Sequence, residues 1–218
     1  MYYPVMLNLS GKRTVVVGGG EVACRKVRDL LDAGALVTVI SPEVHADIEK
    51  IARENGEMIS IEGRKYEPGD LRGASLVFSA TDDSAVNREV FREAEQLNIF
   101  INAVDDPDNC SFIVPSSIRR GDLIVAVSTS GASPSLAAKI RKDIEKDIPS
   151  DIEPLLVSLR KIREILKNDV EFIHLSSSER GEIMKKLTSQ NDFLRKILSA
   201  DDSPALKTLL REIIESRP

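Results

Sequence analysis

The first hundred residues alternate short apolar runs with segments that carry apolar residues at helical spacing. The apolar runs are RTVVVG, ALVTVI, MISIEG, SLVFSA and IFINAV, and the helix-like segments between them are EVACRKVRDLLDAG, VHADIEKIAREN and SAVNREVFREAEQLN. The runs are rich in β-branched residues and almost unbroken, which is typical of strands covered on both faces. The pattern predicts a doubly wound α/β domain with a parallel sheet over residues 1–112.

After Val104 the pattern changes. CSFIVPSSI and DLIVAVST are two strand-like runs separated by RRG, which favours an antiparallel pair. A helix is expected to follow, with Ser133 as its cap and Pro134 in its first turn, and to run until Pro149. Residues 113–150 are therefore predicted to form a small α+β region. Residues 151–218 carry four further segments at helical spacing and predict a helical C-terminal domain.

Charge and composition narrow the possible partners. Thirty Lys and Arg residues stand against 35 Asp and Glu, a formal charge of -5, so no basic field favours nucleic acid or anionic membranes. The two cysteines and two histidines show no structural-zinc spacing, which predicts no metal site. We expect a cytoplasmic protein without a membrane segment, because no apolar run has the length of a bilayer span and the amino terminus lacks a leader pattern.

A glycine-rich turn joins the first strand to the first helix. Gly18, Gly20 and Ala23 form a GxGxxA pattern at this junction, with Glu21 and Val22 opening the helix. The first glycine permits the tight turn, the second lets a pyrophosphate approach the backbone, and the alanine keeps the helix close to the sheet. A turn needed only for packing is the alternative, but packing alone would not require small residues at all three positions. The motif predicts a Rossmann-type dinucleotide site.

The second strand ends in Ser41, Pro42 and Glu43, where dinucleotide sites hold the adenosine ribose. Ser41 can hydrogen-bond a ribose hydroxyl, and Glu43 is placed to reach it. No arginine lies nearby in sequence to receive the 2′-phosphate of NADP. The sequence therefore predicts NAD as the cofactor.

The fourth and fifth strands add further predicted cofactor contacts. The fourth strand leads into Ala80 and Thr81, whose backbone is expected at the ligand-binding edge of the sheet. Asp82 and Asp83 follow, and for them a helix-capping role is at least as plausible. Asn102 in the fifth strand completes the predicted set.

Three strings in this order closely resemble the precorrin-2 dehydrogenase and sirohydrochlorin ferrochelatase family. They are PVMLNLSGKRTVVVGGGEVACRK, ATDDSAVN and NAVDDPDNCSFIVPSSIRRGDLIVAVSTSGASPSLAAKIRKDIE, and they lie in the first two thirds of the chain. The helical remainder looks like the variable C-terminal domain of that family. With no room for a methyltransferase domain, the chain resembles the stand-alone form rather than the fused siroheme synthases. The resemblance implies oxidation of precorrin-2 to sirohydrochlorin, with NAD as hydride acceptor.

The resemblance also implies roles for individual residues. The family links catalysis to an aspartate just after the fifth strand, which is Asp105 here, while residues 106–109 fit a polar turn. It places the loop carrying Ser128, Thr129, Ser130 and Ser133 in the substrate cleft, where hydroxyls and free amides suit carboxylates; without the resemblance this loop would be an ordinary helix cap. Basic groups that could pair with substrate carboxylates are Arg119, Arg120, Lys139, Arg141 and Lys142.

Two alternatives and an assembly state remain to be tested. A bifunctional enzyme that also inserts ferrous iron into sirohydrochlorin is the close alternative, because chelation needs no permanent metal site. A nucleotide-sensing regulator is the alternative from another class, although it gives no reason for Asp105. We also expect a homodimer joined through residues 111 to about 150, since the predicted strand pair is too small to bury both its faces and the resemblance places dimer contacts there.

Overall fold

The computed structural model describes residues 2–104, 106–200 and 202–215. The chain divides into two compact units, Met1–Val114 and Pro115–Pro218. The boundary lies two residues beyond the predicted end of the first domain, and the predicted α+β and helical segments both belong to the second unit. Among the described residues, no helix has the length and apolar character needed to cross a membrane.

The first unit contains a parallel sheet of five strands. In chain order they are β1 (Arg13–Val17), β2 (Leu36–Ile40), β3 (Ile59–Glu62), β4 (Leu76–Ser79) and β5 (Phe100–Ala103). Their spatial order is β3-β2-β1-β4-β5, and every neighbouring pair is parallel. The chain therefore reverses direction across the sheet between β1 and β4. In open α/β sheets such a switch point opens a crevice at the carboxyl ends of the strands.

Helices cover both faces of this sheet. They are α1 (Glu21–Asp32), α2 (Ala46–Asn55) and α3 (Ser84–Leu97). Val16 packs with α1 and α2 in one apolar core, whereas its neighbours Val15 and Val17 pack with α3 in the other. Burial on both faces explains the unbroken apolar strands. The predicted Rossmann-type, doubly wound fold is confirmed.

The second unit begins with a two-stranded antiparallel sheet, β6 (Ser116–Arg120) and β7 (Leu123–Val127). Helix α4 (Pro134–Asp147) packs against both strands. Ser133 caps α4 by accepting a hydrogen bond from the Leu136 amide at 3.2 Å, which confirms the predicted start of this helix.

Four helices complete the second unit: α5 (Ile152–Asn168), α6 (Ser177–Ser189), α7 (Asn191–Ser199) and α8 (Ser203–Glu215). Their apolar faces form one core around Ile162, Leu166, Leu187 and Leu210. Ser176 and Glu179 form a capping box at the start of α6. These features explain the helical spacing of the sequence after residue 151.

The first predicted strand after Val104 is shorter than its apolar run. CSFIVPSSI suggested a strand from Cys110, but β6 begins only at Ser116. The run's first part is engaged with β5: the Ser111 amide donates to the Ile101 carbonyl at 2.8 Å, and the Asn102 side chain donates to the Phe112 carbonyl at 3.0 Å. The backbone of Ser111 and Phe112 is therefore not available to extend the hairpin.

Candidate functional site

A cleft of about 490 Å³ lies at the carboxyl ends of β1, β2 and β4, at the switch point of the sheet. It is lined by the glycine-rich turn, by the segments that follow β2 and β4, and by two residues from the loop after β3. The lining residues outside the strands and α3 are Gly18, Gly19, Gly20, Glu21, Val22, Ser41, Pro42, Glu43, Lys65, Tyr66, Ala80, Thr81, Asp82 and Asp83. The cleft thus gathers most of the predicted cofactor contacts.

Each glycine of the turn meets a different constraint. Gly18 has φ +116°, and a Cβ there would lie 2.2 Å from the Ala80 carbonyl oxygen. A Cβ on Gly19 would lie 2.1 Å from the Glu43 carbonyl oxygen, so this middle glycine, which the motif analysis passed over, is also required. A Cβ on Gly20 would meet no protein atom within 4 Å. Gly18 and Gly19 therefore serve the fold, and the space beside Gly20 is left open in the cleft.

Gly20 is also the N-cap of α1, where no side chain accepts a hydrogen bond from the helix. The first amides of α1 belong to Glu21 and Val22, which line the cleft. Uncapped amides together with the positive end of the helix dipole favour an anion such as a pyrophosphate. Ala23 is fully buried in the core between α1 and the sheet, as the motif predicted. The turn fits a dinucleotide.

The end of β2 forms the predicted ribose position. The Ser41 hydroxyl donates to the Glu43 carbonyl at 2.6 Å, so its hydrogen is used within the turn and its oxygen remains as an acceptor. The Ser41 amide donates to the Glu62 carbonyl at 3.1 Å, which places the ends of β2 and β3 side by side. This neighbourhood brings Lys65, far from Ser41 in sequence, to the same cleft. Sequence proximity gave no signal for this lysine.

The cleft is more acidic than basic. Its lining includes the carboxylates of Glu21, Glu43, Asp82 and Asp83, and Lys65 is the single cation among the described lining residues. An anionic ligand is therefore met mainly by backbone amides rather than by side-chain charge.

The turn after β4 is held by a residue that the sequence analysis did not single out. Asn87 accepts hydrogen bonds from the hydroxyls of Ser79 at 2.6 Å and Thr81 at 3.0 Å, and donates to the Thr81 carbonyl at 3.0 Å. Asp83 caps α3 by accepting from the Ala85 and Val86 amides. These bonds fix the Ala80–Thr81 backbone at the cleft. The signal was the asparagine that closes ATDDSAVN.

Tyr66 forms one wall of the cleft and is pinned by Glu93 of α3. Its hydroxyl donates to the Glu93 carboxylate, which also accepts from the Gly69 and Leu71 amides at 3.0 and 3.3 Å. Burial and the adjacent carboxylate raise the pKa of Tyr66 well above its usual value. The tyrosine is therefore a neutral hydrogen-bond donor at physiological pH.

A bidentate ion pair holds the same loop. Arg64 contacts both carboxylate oxygens of Asp70, at 2.7 and 2.8 Å. The hydrogen bonds from Arg64 lower the pKa of Asp70, whose side chain is only 12% exposed. The Arg64–Asp70 ion pair and the Tyr66–Glu93 hydrogen bond together hold the loop that carries Lys65 in place.

Strand β5 and the segment after it contain two further predicted residues. Asn102 is not among the described residues that line the cleft. Its side-chain amide instead donates to Cys110 Sγ at 3.6 Å and to the Phe112 carbonyl at 3.0 Å. The Cys110 thiol in turn donates to the carbonyls of Ala103 and Asp106, each at 3.2 Å, and burial raises its pKa. Asp105, the predicted catalytic residue, lies outside the described residues.

The predicted substrate loop lies in the second unit. The hydroxyl of Thr129 accepts from the Ser133 amide and donates to the Ser133 carbonyl, both at 3.0 Å. The Ser128 hydroxyl accepts from the Ser130 amide at 3.0 Å, and Ser130 adopts a positive φ of 54°. These hydroxyls order the turn before α4, as the helix-cap interpretation requires. Their remaining lone pairs and the exposed amides stay candidates for ligand contact.

Comparison with known proteins assigns this chain to a family. Residues 5–116 match a family described as "Putative NAD(P)-binding", a match that spans half of the chain. The chain belongs to this family. Residues 120–147 of this NAD(P)-binding family member also match the domain described as sirohaem biosynthesis protein central.

Relatives and a solved structure agree with these matches. The chain is 38% identical to a siroheme synthase of Methylobacillus flagellatus over 98% of its own length and 44% of the relative's. It is 43% identical to a siroheme synthase of Pseudomonas fluorescens over 76% of its own length and 35% of the relative's. It therefore spans less than half the length of these curated relatives.

A similar solved structure is titled "SirC, precorrin-2 dehydrogenase". The two share 25% identity and a TM-score of 0.74, and the likeness covers 98% of this chain and all of that one. Together these findings confirm the family resemblance that the three sequence strings predicted, and a nicotinamide dinucleotide is the cofactor class that the family binds.

Proposed function

We propose that the chain oxidises precorrin-2 to sirohydrochlorin with NAD as the hydride acceptor. The observation that carries the proposal is a dinucleotide cleft at the switch point of a chain similar over its whole length to a precorrin-2 dehydrogenase structure. The siroheme synthase relatives support the same substrate class, since their names place them in siroheme formation. When bound, the nicotinamide supplies the acceptor for the two-electron oxidation.

The protein's own part is to bind the dinucleotide, to place the tetrapyrrole beside it and to assist the release of one proton from the macrocycle. Precorrin-2 loses a hydride from a ring carbon and a proton elsewhere on the macrocycle. Asp105 is our candidate for accepting that proton or orienting the ring nitrogens, on the strength of its position after β5. The hydroxyls and amides of the loop carrying Ser128, Thr129, Ser130 and Ser133 are our candidates for the substrate carboxylates.

NAD rather than NADP is the proposed dinucleotide. An additional 2′-phosphate would add negative charge to a cleft that already contains four carboxylates, one of them from Glu43 beside Ser41. Lys65 is the side chain that would have to pair with that phosphate, and the described residues offer it no arginine as a second partner in the cleft. The acidic balance therefore favours NAD.

A homodimer is the proposed assembly. Leu136 and Ile140, one helical turn apart on α4, are 48% and 39% exposed, and Ile124 of β7 is 40% exposed. Apolar side chains on a two-stranded sheet and its helix support burial against a second copy. Light scattering at micromolar concentration should give twice the chain mass for the wild type, and Leu136→Asp should reduce it. Val157→Asp, at a similarly exposed position on α5, is the control; a monomeric wild type with intact activity would contradict the dimer.

An anaerobic absorbance experiment tests the enzyme activity. Protein, precorrin-2 and NAD should give the sirohydrochlorin spectrum, and omission of NAD should prevent the change. Ferrous iron is added in a second stage, because the bifunctional alternative predicts a further conversion to siroheme. A protein that binds NAD but leaves precorrin-2 unchanged would refute the dehydrogenase and favour the nucleotide-sensing regulator.

A further inference from the structure

Three potential metal ligands meet between α1 and α2, outside the lining of the dinucleotide cleft. Cys24 of α1, His45 at the N-cap of α2 and Asp47 in its first turn each offer one ligand atom, and these atoms all lie within 4.8 Å of one another. We propose that they bind a divalent transition metal ion of the zinc and cobalt type. Sequence spacing predicted no metal site, because the cysteine and the histidine are far apart along the chain.

The donor set selects the class of ion. A thiolate, an imidazole and a carboxylate suit Zn²⁺ or Co²⁺ in a tetrahedron, whose fourth position a water fills, whereas Mg²⁺ and Ca²⁺ require oxygen ligands. Nδ1 of His45 accepts a hydrogen bond from the Asp47 amide at 3.2 Å, and a metal ion bound to this nitrogen would take the place of that hydrogen bond. Cys24 is 3% exposed, while His45 and Asp47 are exposed. An ion would thus enter from the solvent side and meet the thiolate last.

Arg28 supplies positive charge at this place when no metal is bound. Its guanidinium donates to Asp47 Oδ2 at 2.8 Å, from a position one turn after Cys24 on the same face of α1. Both side chains are 51% exposed. An exposed ion pair of this kind is weak, so a divalent ion can displace the guanidinium from the carboxylate.

The backbone links this cluster to the glycine-rich turn. The Cys24 amide donates to the Gly20 carbonyl at 3.0 Å, and the His45 amide donates to the Gly19 carbonyl at 2.7 Å. A metal bound to both Cys24 and His45 would therefore hold the glycine-rich turn in place from outside the cleft. We expect tighter dinucleotide binding with the metal present, and the reciprocal effect of dinucleotide on metal affinity follows from linkage. This coupling, unlike the metal site, rests on the proposed dinucleotide binding.

Cobalt titration of the untagged, chelator-treated full chain tests the site. Bound Co²⁺ should give the ligand-field bands of a tetrahedral ion and a near-ultraviolet thiolate charge-transfer band, and zinc should remove both. Cys24→Ser should abolish the charge-transfer band, while the matched variant Cys110→Ser should keep it. His45→Asn retains an N-cap side chain at an exposed position, so it should lose metal affinity without loss of fold. Arg28→Gln should bind the metal up to about fivefold more tightly, the factor that corresponds to a strong exposed ion pair.

The outcomes distinguish failure of the metal site from failure of its coupling to dinucleotide binding. A spectrum without the charge-transfer band, or one that survives Cys24→Ser, overturns the metal site. If the metal binds but leaves the Kd of NAD unchanged in the wild type, the coupling is wrong and the site stands. Neither readout depends on precorrin-2 turnover, so failure of the proposed enzyme activity would be recognised separately.

Discussion

Replacing Gly20 by alanine is expected to weaken dinucleotide binding without harming the fold. The new Cβ would meet no protein atom within 4 Å, and the backbone φ of −81° is normal for alanine. Alanine is a poorer N-cap than glycine by roughly 1 kcal/mol, while its smaller unfolded-state entropy contributes about 0.4 to 1 kcal/mol in the opposite direction. The two effects nearly cancel, so the Tm should stay within about 4 °C of the wild type.

The loss of affinity follows from the open space beside Gly20. A methyl group there keeps a pyrophosphate from close contact with the first amides of α1. Loss of one charge-assisted hydrogen bond, worth about 1.5 to 3 kcal/mol, raises the Kd of NAD roughly tenfold to 150-fold. Calorimetric titration measures this change directly. Thermal melts give a second measure, because NAD at 100 times its Kd stabilises the wild type by about 2.7 kcal/mol and should stabilise the variant much less.

Gly19→Ala is the matched control. Its Cβ would lie 2.1 Å from the Glu43 carbonyl oxygen and 2.9 Å from the Ser41 hydroxyl, so the turn after β2 would have to move. Overpacking of this kind costs about 1 to 3 kcal/mol, and this variant should lose stability as well as affinity. Wild-type NAD affinity in Gly20→Ala would refute the placement of the pyrophosphate. A Gly20→Ala protein as unstable as Gly19→Ala would refute the separation of fold from binding.

Three further predictions concern catalysis, cofactor choice and pH. Asp105→Asn should slow precorrin-2 oxidation by about 100-fold to 10,000-fold at unchanged circular dichroism and NAD affinity; full activity, or lost NAD binding, contradicts the catalytic role. NAD should bind more tightly than NADP by calorimetry, Lys65→Ala should widen the gap and Glu43→Gln should narrow it, whereas equal wild-type affinities would contradict the preference. Asp70→Asn should lower the free energy of unfolding at pH 7 by roughly 1 to 2 kcal/mol, with allowance for the exposure of Arg64. Because the folded pKa of Asp70 is lowered, the difference in unfolding free energy between the wild type and this variant should be fully present above the unfolded pKa of about 3.9 and should shrink as the pH falls below it. Denaturant melts at several pH values measure this difference, and a difference that does not change with pH would contradict the ion pair.

Local patterns along the chain determined most of the secondary structure. The central strands β1 and β4 are buried at nearly every position because helices cover both faces of the sheet, and the resulting apolar runs are visible in a few consecutive residues. Ser133 and Pro134 marked the start of α4 because capping acts within one turn. The GxGxxA turn predicted a pyrophosphate position for the same reason. The family resemblance likewise rested on contiguous strings.

Only the tertiary structure decided which distant residues share a site. Gly19 is required because β2 brings the Glu43 carbonyl against it, and Lys65 reaches the cleft because β3 pairs with β2. Cys24 and His45 meet because α1 and α2 pack on the same face of the sheet. Hydrophobic spacing reports which side of an element is buried, but not what lies opposite. That is fixed by the strand order β3-β2-β1-β4-β5 and the crossover connections, which no stretch of sequence contains by itself.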